Sequence, residues 1–350
     1  MSKRVFTRQE GRLTDPEAES DWFRARPVPY FEASEVSPVS FRQPPASVEQ
    51  LLERLEKDGD ASVSLAEHAG DERVLPAVRQ LLAQAEEPPY GNGPQILGLA
   101  RDWEARGLLE RKLDEVRDQA LARLDHDTQE HDIYAYSAVW LSEALLRIDP
   151  WHEDAGWMLG EMFGHADRGV RNHVAMAARN LVEQAGRTGP VKRLKKQVRA
   201  GLDDPDPLVF CHVAEIFVRT DWPKILRRAG KLIRDDDWFT RMAAQSLLVQ
   251  VPPPRGAEGI ELVRQWFPKE EEKMCIIEMT ANLGVLLGED RLEEVVASLL
   301  GDEAPAVRFD TLLSVLCPMK PERAAGFAGD AVDDEPDEVL AQWLEWYTER

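Results

Sequence analysis

The sequence predicts an all-α fold of antiparallel helix pairs stacked side by side, and three observations predict it. Leu, Ala, Glu and Arg dominate while Ile and Thr are scarce at nine each, so helix formers are plentiful and good strand formers thin. No segment alternates apolar and polar residues as a half-buried strand would. The chain also resembles itself at intervals of some thirty-odd residues, the signature of a repeat architecture.

The elements follow in order. Residues 1–46 are polar, carry prolines at 16, 27, 29, 38, 44 and 45, and lack helical periodicity. They are expected to form an extended N-terminal arm, its Trp22, Phe23, Tyr30, Phe31 and Phe41 laid against the first helices. Ser47 is the expected N-cap of the first helix, opening an N-terminal helical segment over 47–94. Pro88-Pro-Tyr-Gly-Asn-Gly-Pro94 is a turn cluster separating that segment from a repeat array over 95–336. Pro252-Pro-Pro-Arg-Gly256 reads as an inter-repeat loop. Asp337–Arg350, with Leu340, Trp343, Leu344 and Tyr347 on one face, reads as a C-terminal capping helix behind Pro336.

The repeats align on an acidic turn, an Arg one turn into the helix, and small or apolar residues beyond. His165-Ala-Asp-Arg-Gly-Val-Arg171 and Asp302-Glu-Ala-Pro-Ala-Val-Arg308 are the best matched. Asp203–Phe217 lacks the Arg, and Asp235–Leu248 keeps it as Arg241. With Phe210 and a weaker match at Met274, the marker positions are separated by 39, 31, 33 and 34 residues, and a further copy starts near Tyr134. The turn carboxylate is expected to cap the helix, and the Arg to pair with acids of the neighbouring turn. Second helices are visible at Gly70–Leu82 and Gly288–Leu300, which share Gly, two acids and Arg before an amphipathic run.

These motifs resemble HEAT repeats, particularly the short bacterial type found in phycobilisome-lyase-like proteins, over most of residues 47–325. The resemblance implies a right-handed α-solenoid of about six to eight helix pairs, an armadillo-like frame used for protein–protein interaction.

Charge narrows the function. The 350-residue chain has 43 Lys and Arg against 64 Asp and Glu, a formal net charge of −21. A surface devoted to nucleic acid or anionic lipid is excluded, because phosphate binding rests on Lys and Arg. Yet Arg187–Arg234 holds twelve Lys and Arg against five acids. Lys192, Lys195, Lys196 and Arg199 fall on one helix face opposite Val191, Leu194, Val198 and Leu202. Lys224, Arg227, Arg228 and Lys231 repeat the spacing 32 residues later, opposite Ile225, Ala229, Leu232 and Ile233. Pro223 sits where a first helical residue would. In stacked pairs the two ridges would lie roughly 10 Å apart, making an eight-cation patch on the concave surface that second helices line in HEAT-like arrays. The competing readings are a solvated face, or one neutralised by Asp203–Asp206 and Asp235–Asp237.

Other chemistry has little support. No phosphate-cradling loop, dinucleotide fingerprint, zinc-protease helix or nucleophile elbow occurs. Cys211, Cys275 and Cys317 are unpaired in spacing and set among apolar residues, as buried thiols would be. His126 and His131 lack a helical ligand spacing, and His173 and His212 occupy comparable inner positions of repeat helices. His152-Glu153 resembles one His-Glu motif of the HEAT-repeat deoxyhypusine hydroxylases, whose two irons need several such motifs; one is present. A comparison with HEAT-like alkylpurine DNA glycosylases rests only on the cationic ridges with Trp222 and Trp238 beside them. Trp140, Trp157 and Trp266 lie on apolar helix faces and are expected to pack internally.

The expectation is a non-enzymatic, cytoplasmic scaffold or adaptor with no cofactor or metal. It binds an acidic segment of a partner protein through the patch, and an inhibitor or immunity-type role is one version. The alternative is a binder of nucleic acid or a phosphate ligand at the same patch; an enzyme with an unfamiliar site is a third class. Neither a secretory signal nor a membrane span is expected.

Overall fold

The computed structural model describes residues 47–58, 62–125, 132–251, 255–287, 289–316 and 321–332. The arm over 1–46, the capping helix over 337–350, Cys317, the His126–His131 pair and Pro252–Pro254 lie outside the described residues. Every regular element among the described residues is helical. The helices gather into two compact units that meet in sequence at Phe217/Val218.

The first unit holds α1 (Val48–Asp58), α2 (Val74–Gln84), α3 (Gly93–Ala100), α4 (Arg106–Leu121), α5 (Ile133–Ile148), α6 (Glu153–Met162), α7 (Arg168–Ala185), α8 (Gly189–Val198) and the start of α9 (Pro207–Leu232). Ser47 caps α1 as expected, in a reciprocal box. The Gln50 N–H donates to Ser47 Oγ at 3.2 Å and the Ser47 N–H to Gln50 Oε1 at 2.8 Å. The Pro88–Pro94 cluster runs inside this unit, held by buried Tyr90, whose hydroxyl meets Glu115 at 3.1 Å. Helices pack on the next and next-but-one: α5 on α3, α4, α6 and α7, and α6 on α8. The α3–α5 crossing is close enough that a Cβ on Gly98 would stand 2.7 Å from the Cα of Ala144.

The second unit holds the end of α9, then α10 (Trp238–Leu248), α11 (Ala257–Trp266), α12 (Lys273–Leu283), α13 (Glu289–Leu300), α14 (Pro305–Thr311) and α15 (Pro321–Val332). Helix α9 breaks at Asp221 (φ −118°, ψ 22°), so Pro223 stands in the first turn of the segment beyond the break, where its missing N–H costs nothing. Trp222 is buried there, its indole N–H donating to the Arg255 carbonyl at 3.0 Å. Within this unit α10 packs on α11 and α12, and α12 on α13 and α14.

The repeated arginine has a defined task in both units. Arg171 donates through Nη1 to the carbonyls of His165 (2.9 Å) and Ala166 (2.7 Å), and through Nε and Nη2 to Asp204 (2.9 and 3.3 Å). Arg241 donates to Asp235 O (2.9 Å) and Asp236 O (3.0 Å), and grips Glu270 (3.0 and 2.8 Å). Arg308 closes its own turn through Asp302 O (2.6 Å) and Glu303 O (3.1 Å). One guanidinium thus satisfies two turn carbonyls and, at Arg171 and Arg241, also reaches the acid of the following turn, a use of fork geometry that Lys cannot copy. Asp167, Asp206, Asp237 and Glu272 each accept a backbone N–H of the helix they precede. Counted from these caps, the equivalent of Arg241 in α12 is Ile276. The Met274 alignment is two residues early because Glu272 supplies the cap.

Burial raises the pKa of the Glu270 carboxyl, but donors from Arg241, Trp266 and the Glu272 backbone outweigh it and hold it below the usual carboxylate range. The Arg241 guanidinium is correspondingly pushed up, chiefly by its hydrogen bonds to Glu270. With Glu270 nearly inaccessible, loss of Arg241 would strand a buried charge at a cost of about 3–5 kcal/mol.

Candidate interaction site

Helix α8 is built to show its cations. Pro190 fixes the first turn, and Val191, Leu194, Val198 and then Leu202 are buried at one-turn spacing. The outward positions hold exposed Lys192, Arg193, Lys196 and Arg199 and half-buried Lys195. Lys195 and Arg199 lean over the Phe217 ring, at 5.4 and 5.3 Å from its centroid. Arg193 pairs with Glu153 of α6. Lys192 and Lys196 have no carboxylate ion partner among the described residues.

In the second unit Ile225, Ala229 and Ile233 are buried and Leu232 is half-buried, as the spacing predicts. Arg227 and Lys231 are exposed, Lys224 and Arg228 half-buried. Arg227 and Lys231 likewise have no carboxylate ion partner among the described residues. Four of the eight cations belong to each unit, and each ridge keeps its own apolar stripe.

Four of the six acids proposed to neutralise the ridges have turn contacts of their own. Asp204 binds Arg171, and Asp206 accepts the N–H groups of Leu208 (2.9 Å) and Val209 (3.1 Å). Asp235 accepts the Asp237 N–H at 3.0 Å, and Asp237 caps α10 through Thr240. Asp204, Asp206, Asp235 and Asp237 thus all take part in the turn motif.

The remaining candidates take structural roles. His152 caps α6, its Nδ1 accepting the Ala155 N–H at 3.2 Å while Nε2 faces Glu110 at 3.1 Å. His173 donates through Nδ1 to the Gly169 carbonyl at 2.9 Å. His212 lies 3.4 Å from Arg179, and burial together with that guanidinium pushes its pKa down to about 4. Cys211 and Cys275 are buried free thiols, and burial pushes Cys275 up to about 12, far from a reactive thiolate. No group of three or more His, Cys, Asp or Glu among the described residues is placed to hold a metal. An open depression lined by Asp71, Glu72, Arg79, Asp102 and Glu104 has its one cation committed to Asp102 (3.1 Å) and Glu104 (2.6 Å).

Two tryptophan expectations are corrected. Trp157 is not packed internally: it is 47% exposed, because α6 buries Ala155, Met158, Leu159 and Met162 and residue 157 lies about 150° from the centre of that stripe. Trp222 does not flank the cationic surface as an open ring, since it is 3% exposed. Trp238 is exposed, and Trp266 is half-buried with its indole N–H on Glu270 at 3.0 Å. Among the described residues Trp103 and Trp151 are the other exposed indoles; Arg106 lies over the Trp103 ring at 5.2 Å, and its ion partner Asp149 accepts the Trp151 backbone N–H at 3.1 Å.

No described helix is long and apolar enough to cross a membrane. The chain matches no known family model and no curated protein.

Proposed function

We propose that the chain is a HEAT-like α-solenoid acting as a non-enzymatic scaffold or adaptor. It binds acidic segments of a partner protein through two cationic ridges, Lys192, Lys195, Lys196 and Arg199 in the first unit and Lys224, Arg227, Arg228 and Lys231 in the second. The helix-on-next-but-one packing within each unit and the recurring arginine fork support the architecture. The observation that carries the function is the unspent charge. On a chain of net −21, Lys192, Lys196, Arg227 and Lys231 stand on solvent faces while nearby carboxylates serve caps and forks. Like charges one helical turn apart cost a few tenths of a kcal/mol per pair, and an acidic ligand relieves that repulsion. An inhibitor or immunity-type protein is one form such a scaffold takes.

The test is a variant with Lys195, Lys196, Arg227 and Arg228 all replaced by Glu. The partner is identified by affinity capture with the native chain and then purified. Its binding should weaken steeply as salt rises and be lost in the variant. Undiminished, salt-insensitive binding by the variant rejects the reading. Retention on an oligonucleotide at physiological salt transfers the ridges to nucleic acid.

A further inference from the structure

We propose that α6 and α8 form one docking strip for a partner segment in which acidic residues flank a large apolar side chain, with Trp157 as the apolar anchor. The inference rests on the cationic reading of α8 and lies wholly within the first unit. Three contacts set the two helices alongside each other. Glu153 pairs with Arg193, Gly156 lies so close to Pro190 that a Cβ would stand 2.7 Å from the proline Cβ, and Gly160 abuts the Gln197 amide. Trp157 lies between Gly156 and Gly160, so along α6 it is level with the stretch of α8 between Pro190 and Gln197, which carries Lys192 and Lys196.

The strip is therefore aromatic on one helix and cationic on the next. Trp157 is 47% exposed, and Trp151, 65% exposed, stands at the N-terminal end of the same helix. An indole offers large apolar area at low entropic cost and is enriched at binding hot spots. Because Arg193 is neutralised by Glu153, the attraction for anions comes from Lys192 and Lys196. Stacking beside lysines also suits single-stranded nucleic acid. Here, however, Glu153 and Asp154 are exposed on α6 and Glu161 lies one turn past Trp157, where an unbroken run of phosphates would meet them. A peptide spaces its carboxylates and offers an apolar group between them, which matches this pattern.

The experiment uses the full chain and fluorescence anisotropy with labelled peptides of about ten residues, longer when extended than α8. One peptide carries Asp and Glu around Leu and Phe, a second has Ser in place of Leu and Phe, and a third has Asn and Gln in place of the acids. An oligo-dT of matching length is the fourth probe. The acidic–apolar peptide should bind at least about tenfold more tightly than the acidic–Ser peptide. Trp157→Ala should erase that difference while both acidic peptides keep weak, salt-sensitive binding, and Trp157→Phe should retain part of it. Lys192→Glu with Lys196→Glu should abolish both, with unchanged thermal melting showing that the fold survives. Equal binding of the two acidic peptides to the native chain, or a preference that survives Trp157→Ala, overturns the anchor and leaves the cationic reading standing. Failure of both acidic peptides to bind, or their indifference to the double lysine reversal, overturns both. Tighter binding of oligo-dT overturns the peptide assignment.

Discussion

Helix α8 buries Val191, Leu194 and Val198, and helix α13 buries Leu292, Val296 and Leu299. Their inward faces are near equivalents. Outward, α8 shows Lys192, Arg193 and Lys196 where α13 shows Asp290, Glu293 and Glu294. Arg291 of α13 is matched with Glu294 at 2.6 Å, whereas Lys192 and Lys196 have no such carboxylate among the described residues. The difference teaches that packing and surface chemistry are written on separate residues of one helix. The inward stripe answers to the hydrophobic core, and the outward row sets the charge of the surface.

Truncating the inward side should cost most. Leu194→Ala and Leu292→Ala should each destabilise their own unit by about 2–5 kcal/mol, measured by chemical denaturation. Strongly unequal losses would show that the two stripes are not equivalent.

Acid should separate the two units by an intermediate amount. In the first, burial and Arg179 lower His212 from 6.5 to about 4, and burial lowers His165. These imidazoles stay neutral when folded, so the unfolded chain takes up protons first as pH falls below about 6.5, and stability declines from there down to about 4. In the second unit Glu270 and Asp237 are held below their ordinary 4.5 and 3.8 despite burial, by hydrogen bonds from the Arg241 and Trp266 side chains and the Glu272 N–H, and from Thr240, respectively. Their contribution persists above those values and is lost only as pH falls through the depressed ones. Segment-resolved hydrogen exchange, corrected for intrinsic rates, should show the first unit loosening between about pH 7 and pH 5 while the second holds. His212→Gln should flatten that response.

Exchanging the outward charges should have the smallest effect on folding. Lys196→Glu and Glu294→Lys should each change stability by no more than about 0.5 kcal/mol, read from thermal melts. A larger penalty at residue 196 would mean that the lysine is structural.

What is legible in the sequence follows from which forces are local. Ser47, Asp167 and Asp237 announce helix starts because a cap is read from neighbouring residues. The apolar stripe of α8 follows from helical periodicity, and the recurring Arg is traceable because its turn recurs with it. The second partner of that Arg is legible only as a class, since Asp204 and Glu270 are brought to it by folding. Met274 aligns in place of Ile276 because no arginine marks that hairpin and a Glu cap is a weaker cue than Asp. The exposure of Trp157 is legible from the spacing of Ala155, Met158, Leu159 and Met162, although a large indole suggests burial. The commitment of Asp204 and Asp206 to their own turn is invisible in the sequence.

The arginine fork constrains how such a chain can change. At Arg171 and Arg241 a single side chain fastens the turn behind it and the turn ahead, so neither turn is a free connector. Lengthening the turn behind by a few residues would detach its carbonyls from Nη1, and lengthening the turn ahead would misplace its carboxylate. Either turn should therefore tolerate insertion less well than a connection that no such fork holds.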